Sequence, residues 1–185
     1  NGGEPTLIKA HFRYLKNLIE NGTSQQVHLV YSLNMMDIPA SLVEMWKSFK
    51  QVTVNASIDD LYERNYYIRY PSKWDHIQKN MNLLMDKMNE SHTQYHLVFT
   101  PTVSILNVAN FKAFVEWAYD FAVSNNTPNS DWDMQPIFLH GPQFQDMIYA
   151  TTDYRYFALK QLDKIDKGAL KYFNNLNRFY DEVIE

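Results

Sequence analysis

Short β-branched and aromatic runs alternate with segments of helical periodicity along most of this chain, and that alternation restricts the fold more than any other feature. Over residues 5–21, Leu7, Ile8, Phe12, Leu15, Leu18 and Ile19 recur at three- and four-residue steps, the spacing of one helix face. Pro5 suits a first helical turn and Asn21-Gly22 supplies a stop. Val27-His28-Leu29-Val30-Tyr31 reads as a buried strand. A helix from Pro39 follows, with Leu42, Val43, Trp46 and Phe49 on one face. The pattern then repeats as a strand over 52–57, a loop, a helix over 74–88, a strand over 95–99 and a helix over 111–123. A short strand over 135–139 leads into a Gly141-Pro142 loop, and the rest is helical from about Asp153 with a break at Gly168.

Strict alternation implies parallel strands joined by helical crossovers, hence an α/β barrel or an open doubly wound sheet. The strands are continuous apolar runs, the pattern of a sheet covered on both faces. Polar residues collect just after the strand ends: Asn34, Ser57, Asp59, Thr102, Ser104 and His140. In α/β barrels that rim carries the binding site, so the expected fold is α/β, an incomplete parallel (β/α) barrel. Residues 1–150 form its core and 151–185 a helical extension. A dinucleotide-binding sheet is disfavoured, because Gly2-Gly3 lacks the G-x-G-x-x-G spacing.

With 185 residues, 45% of them hydrophobic, the chain can bury a substantial core. Its formal charge of -4 is dispersed, and without a basic stripe to follow a phosphate backbone, nucleic acid is not expected as a partner. No apolar stretch approaches the roughly twenty residues of a membrane span, so no membrane association is expected. Asn-x-Ser/Thr triplets occur at Asn21, Asn55, Asn89 and Asn125, but Asn55 falls in an apolar strand where a glycan has no room, and the cytoplasm is the expected location. Cysteine is absent, which excludes disulfides and cysteine-ligated zinc or iron-sulfur sites within these residues.

Two constellations carry candidate chemistry. In Gly2-Gly3-Glu4-Pro5-Thr6-Leu7, glycines let backbone approach a ligand, a helix N-terminus offers unpaired amides, and the carboxylate suits an ammonium group. Taken alone, the segment is equally a turn followed by a first-turn Glu. The second is Ala56-Ser57-Ile58-Asp59-Asp60-Leu61, with Arg69 in Tyr67-Ile68-Arg69-Tyr70-Pro71 ten residues beyond Asp59. A guanidinium offers a carboxylate a planar fork. Together, and in this order, they resemble the radical SAM enzymes, with their Gly-Gly-Glu segment and a strand ending in Ser-Ile-Asp-Gly followed by an arginine.

That resemblance, over roughly the first 140 residues, implies a barrel truncated at its N-terminus, beginning at the end of the second strand. It implies that the intact enzyme cleaves S-adenosylmethionine reductively, with a 4Fe-4S cluster, to a 5′-deoxyadenosyl radical that abstracts hydrogen from a substrate. Gly2, Gly3 and Glu4 would hold the amino group of S-adenosylmethionine, Ser57 and Asp59 its ribose side, and Arg69 its carboxylate. Asn34, in Tyr31-Ser32-Leu33-Asn34, stands where relatives have a Thr-Asn pair. Asn107 stands where the fifth strand closes, and also suits a plain helix cap. The cluster ligands would lie upstream of residue 1, an electron donor such as a flavodoxin or ferredoxin would be needed, and the substrate is open, a peptide being one candidate. The isolated fragment would be inactive. One departure is Asp60, where relatives have glycine; the turn there must do without positive φ.

Two rival classes remain: a cluster-free α/β-barrel binding or scaffold protein, and a barrel hydrolase using Asp59, Asp60 and His140. His92 and His96 have the i, i+4 spacing of a zinc pair, but they straddle a connection and a strand and share no helix face. Asp131 and Asp133 around Trp132 read as a solvated loop. The aromatic tail, from Tyr154 and Phe157 to Phe173, Phe179 and Tyr180, reads as core.

Overall fold

The structure is a computed structural model that describes residue 6 and residues 8–176. Gly2, Gly3, Glu4, Pro5, Leu7, Phe179 and Tyr180 lie outside the described residues. The strands are β1 His28–Leu33, β2 Gln51–Ala56, β3 Gln94–Phe99, β4 Thr102–Val103, β5 Ser130–Met134 and β6 Ile137–Phe138. The α-helices are α1 Lys9–Glu20, α2 Ala40–Trp46, α3 Tyr62–Ile68, α4 Trp74–Asn89, α5 Phe111–Ser124, α6 Thr152–Leu162 and α7 Lys167–Tyr172. The fold is α/β: four strands form one parallel sheet in the order β1-β2-β3-β5, while β4 and β6 pair in a separate parallel ribbon.

The register sorts the sheet into two unlike faces. Tyr31, Val54, Leu97 and Trp132 are partners across the four strands, as are Leu33, Ala56, Phe99 and Met134. All eight belong to one buried cluster with Leu15 of α1, Trp46 of α2, Leu84 of α4 and Phe114 of α5. Strand side chains alternate in direction, so the opposite face carries Val30, Thr53, His96 and Asp131 in one row and Ser32, Asn55, Val98 and Asp133 in the next. That face is mostly polar and is open at the edge strand, where Val30 is 62% exposed, while Thr53 and Val98 of the central strands are buried on it and His28 Nε2 lies 2.8 Å from Thr53 Oγ1. The expectation of two apolar faces is corrected here. In β1, the buried Leu29, Tyr31 and Leu33 alternate with the exposed His28, Val30 and Ser32, an alternation that the β-branched composition of the run conceals.

The fourth strand of the sheet also differs from the expectation. It is β5, the segment read as a solvated loop, whereas only Ile137 and Phe138 of the expected 135–139 strand are extended and paired, in the small ribbon. Asp131 and Asp133 face outward while Trp132, 5% exposed, stacks against Phe99 with ring centroids 6.3 Å apart. A strand buried on one side needs apolar residues only at alternate positions, so a search for continuous apolar runs passes over it.

Helix α3 replaces part of an expected loop. Its tyrosines Tyr62, Tyr66 and Tyr67 are exposed and its one fully buried side chain is Asn65, so it presents no apolar stripe. Towards the C-terminus, Asp166 caps α7 by accepting from the N–H groups of Gly168 and Ala169, which places the break before Gly168. Ala158, Leu162, Phe173 and Leu176 join the same buried cluster as the sheet, while Tyr156 and Phe157 stay exposed. Among the described residues no helix is long and apolar enough to cross a membrane.

Candidate functional site

The segments that follow β1 and β2 carry a cleft of about 530 Å³ whose lining includes Asn34, Met36, Asp59, Arg69, Tyr70 and Ser72. Three residues singled out from sequence, Asn34, Asp59 and Arg69, therefore meet in one place. Asn34 follows β1 and its Oδ1 accepts the Met36 N–H at 2.8 Å, closing a turn in which Met35 adopts a φ of 62°. The left-handed region is costly for a residue with a Cβ. Asn80 of α4 supports the turn, its Nδ2 donating to the carbonyls of Met35 and Met36 at 2.9 and 2.8 Å.

Asp59 stands just past β2 and is 4% exposed. Its Oδ2 accepts from Arg69 Nη1 at 2.9 Å and its Oδ1 from the Thr102 N–H at 2.8 Å. The arginine retains 29% side-chain exposure. Ser57 sits closer to the strand: its N–H extends the ladder to the Leu33 carbonyl at 2.8 Å and its Oγ lies 3.5 Å from Thr100 Oγ1. Ser57 is not among the residues lining the cleft.

Asp60 is buried more deeply still, at 1% exposure. Its Oδ1 accepts from the Leu61 N–H at 2.7 Å and from Asn110 Nδ2 at 2.6 Å, while Oδ2 has no hydrogen-bond partner and the nearest cation, Arg64 Nε, is 3.7 Å away. Burial pushes its carboxyl above the ordinary 3.8, against the pull of those hydrogen bonds and of Arg64. Asp60 keeps negative φ, the left-handed residue nearby being Tyr62 at 53°, so the turn does dispense with a glycine at position 60.

Two residues give the loop its shape and were missed or misread in sequence. Asn65, 0% exposed, accepts from the N–H groups of Asp59 and Asp60 at 3.1 and 3.3 Å and donates to Ser72 Oγ at 2.9 Å. Nothing in Tyr62-Glu63-Arg64-Asn65-Tyr66-Tyr67-Ile68 marks it. Asn107 does not cap a helix with its side chain. Its Nδ2 donates to the carbonyls of Asp59 and Thr102 at 2.8 and 2.9 Å, and its Oδ1 accepts from the Ser104 N–H at 2.8 Å.

The other candidates lie elsewhere. His140 is 79% exposed with Nδ1 3.6 Å from Asp146 Oδ2, in a separate apolar pocket with Val108, Phe138 and Leu162. His96 is on the open sheet face, 3.7 Å from Asp131 Oδ2, and His92 is exposed in the preceding connection. Among the described residues, no three His, Asp or Glu side chains gather as a metal site would need.

Fold and site define an α/β protein with a polar cleft at the carboxyl ends of adjacent parallel strands. No protein-family model matches the sequence. A search of the curated proteins returns no match either.

Proposed function

We propose that residues 1–185 are part of a radical SAM enzyme, an arc of a parallel (β/α) barrel whose strand-end cleft receives S-adenosylmethionine. The observation that carries the reading is convergence. Asn34, Asp59 and Arg69, picked out by sequence resemblance, come from separate connections and line one cleft. The strand order β1-β2-β3-β5 has no reversal, and one sheet face is apolar and helix-covered while the other is polar. Both features suit a barrel arc with its polar face turned inward.

The cleft fits the cofactor in size and chemistry. Its volume of about 530 Å³ is that of a small-molecule site, and it combines one guanidinium, the two carboxylates of Asp37 and Asp59 and an amide with the apolar walls of Ile68 and Met36. Arg69 binds and orients the carboxylate end of S-adenosylmethionine, and Asp59 holds Arg69 rather than contacting the ribose first. Ser57, which does not line the cleft, is assigned to the ribose side, and Gly2, Gly3 and Glu4 to the amino group, on resemblance alone. Residues 1–185 contain no cysteine and do not fit a thiolate-ligated cluster, so on this reading its ligands come from outside them. When bound, the cofactor supplies the bond cleavage, and these residues bind it and orient it.

The test is anaerobic iron and sulfide reconstitution of the protein expressed from its full coding sequence, followed by assay for 5′-deoxyadenosine after addition of S-adenosylmethionine and dithionite as the one-electron reductant. The expected result is product from the wild type and its loss in Arg69→Ala. A wild-type protein that takes up no iron and forms no 5′-deoxyadenosine sinks the reading. The cysteine-free sequence favours a second one, a cluster-free binding protein. It predicts binding of S-adenosyl-L-homocysteine with no iron uptake.

A further inference from the structure

Each main-chain polar atom and both carboxylate oxygens of Asp59 have a partner. Its N–H donates to Asn65 Oδ1, its carbonyl accepts from Asn107 Nδ2, and its carboxylate accepts from Thr102 and Arg69. Asn65 and Asn107, 0% and 1% exposed, cannot themselves reach a ligand in the cleft. Both amides use their oxygen and their nitrogen in the surrounding loops, and a buried polar network satisfied in this way is rigid. Arg69 commits Nη1 to Asp59, and a guanidinium has five N–H donors in a fixed fork.

We propose that Asn65 and Asn107 are positioning residues that act through Asp59 to lock the Arg69 guanidinium, so that its remaining N–H groups face the carboxylate of the bound ligand. The identity of that ligand rests on the function proposed above; the locking of Arg69 does not. The two amides act with opposite polarity. Asn65 presents an oxygen to two N–H groups, which Asn65→Asp retains and Asn65→Ala removes. Asn107 presents its NH₂ to two carbonyls, and Asn107→Asp would set an oxygen against both.

Two probes separate carboxylate recognition from general integrity: S-adenosyl-L-homocysteine, which carries the amino-acid carboxylate, and 5′-methylthioadenosine, which lacks it. Calorimetry on the wild type should show a preference for the first of about tenfold or more, the scale of a charge-assisted hydrogen bond. Asn65→Ala and Asn107→Asp should lose that preference with 5′-methylthioadenosine affinity unchanged, while Asn65→Asp keeps it. A merely structural role would weaken both probes together, and that result overturns the proposal. In parallel, ¹⁵N spectra of the arginine Nη groups should show a restrained Arg69 signal in the wild type and in Asn65→Asp, lost in the other two. Restrained Arg69 signals in every variant overturn the positioning role. A wild type that binds neither probe removes the cofactor reading, and the Arg69 spectra still decide the locking. Should Asn107→Asp fail to fold, the Asn65→Ala and Asn65→Asp pair carries the test.

Discussion

The side-chain amide of Asn107 donates to the main-chain carbonyl of Asp59 at 2.8 Å, across 48 residues of sequence. This bond ties the loop after β2 to the turn that follows β4, and it sets the backbone from which the Asp59 carboxylate reaches Arg69. The cleft therefore inherits its shape from buried polar contacts, whose loss costs more than that of exposed ones.

Asp59 and Arg69 should be coupled energetically. The carboxylate is 5% exposed and the guanidinium 29%, between a surface pair, which contributes about 0–1 kcal/mol, and a fully buried one. A double-mutant cycle of Asp59→Asn and Arg69→Ala, followed by urea unfolding, should give a coupling of about 1–2 kcal/mol. A coupling near zero would show that the contact does not hold the arginine.

Asp60 should make the protein lose stability as pH rises. Burial raises its folded-state pKa above the 3.8 of the free carboxyl, so over that interval the folded state keeps a proton that the unfolded chain has released. The contribution is full below 3.8 and is lost as pH climbs through the folded value. Unfolding free energies of the wild type and Asp60→Asn, measured across this range, should shift progressively against the wild type. A difference independent of pH would contradict the raised pKa.

His11 should act with the opposite sign. Its Nε2 lies 2.7 Å from Tyr31 Oη, and burial lowers the imidazole below its ordinary 6.5 while pushing the phenol up to about 12. Burial favours the neutral imidazole, a contribution fully present above pH 6.5 and lost as pH falls through the folded value. Relative to His11→Gln, which offers an acceptor that does not titrate, the wild type should lose thermal stability below pH 6.5. Parallel melting profiles would refute this.

Trp132 should matter far more than the acids beside it. It stacks on Phe99 and meets Phe121 edge to face at 5.9 Å. Trp132→Ala should cost about 3–5 kcal/mol, whereas Asp131→Ala, on the open face, should stay within about 0.5 kcal/mol of the wild type. Urea denaturation of both variants is the measurement, and a mild Trp132→Ala would remove β5 from the sheet.

Periodicity made β1, β2, β3 and helices α1, α2, α4 and α5 legible, because each has to present an apolar stripe or run to a common core. It did not reveal β5, whose acids alternate with Trp132 and Met134, or α3, whose only fully buried side chain is an asparagine. At the site, Asn34, Asp59 and Arg69 were readable as residue types at strand ends. That Asp59 would engage Arg69 was not, since a guanidinium pairs equally well with any nearby carboxylate.

By itself, then, the sequence determined an α/β chain with parallel strands and the polar residues that follow them, since both are encoded in local spacing. Only the tertiary structure decided which segment closes the sheet, that one of its faces is polar, and that Asn65 and Asn107 converge on Asp59. Hydrogen bonds such as the one spanning 48 residues depend on where the chain returns, and the local spacing of residue types does not record that.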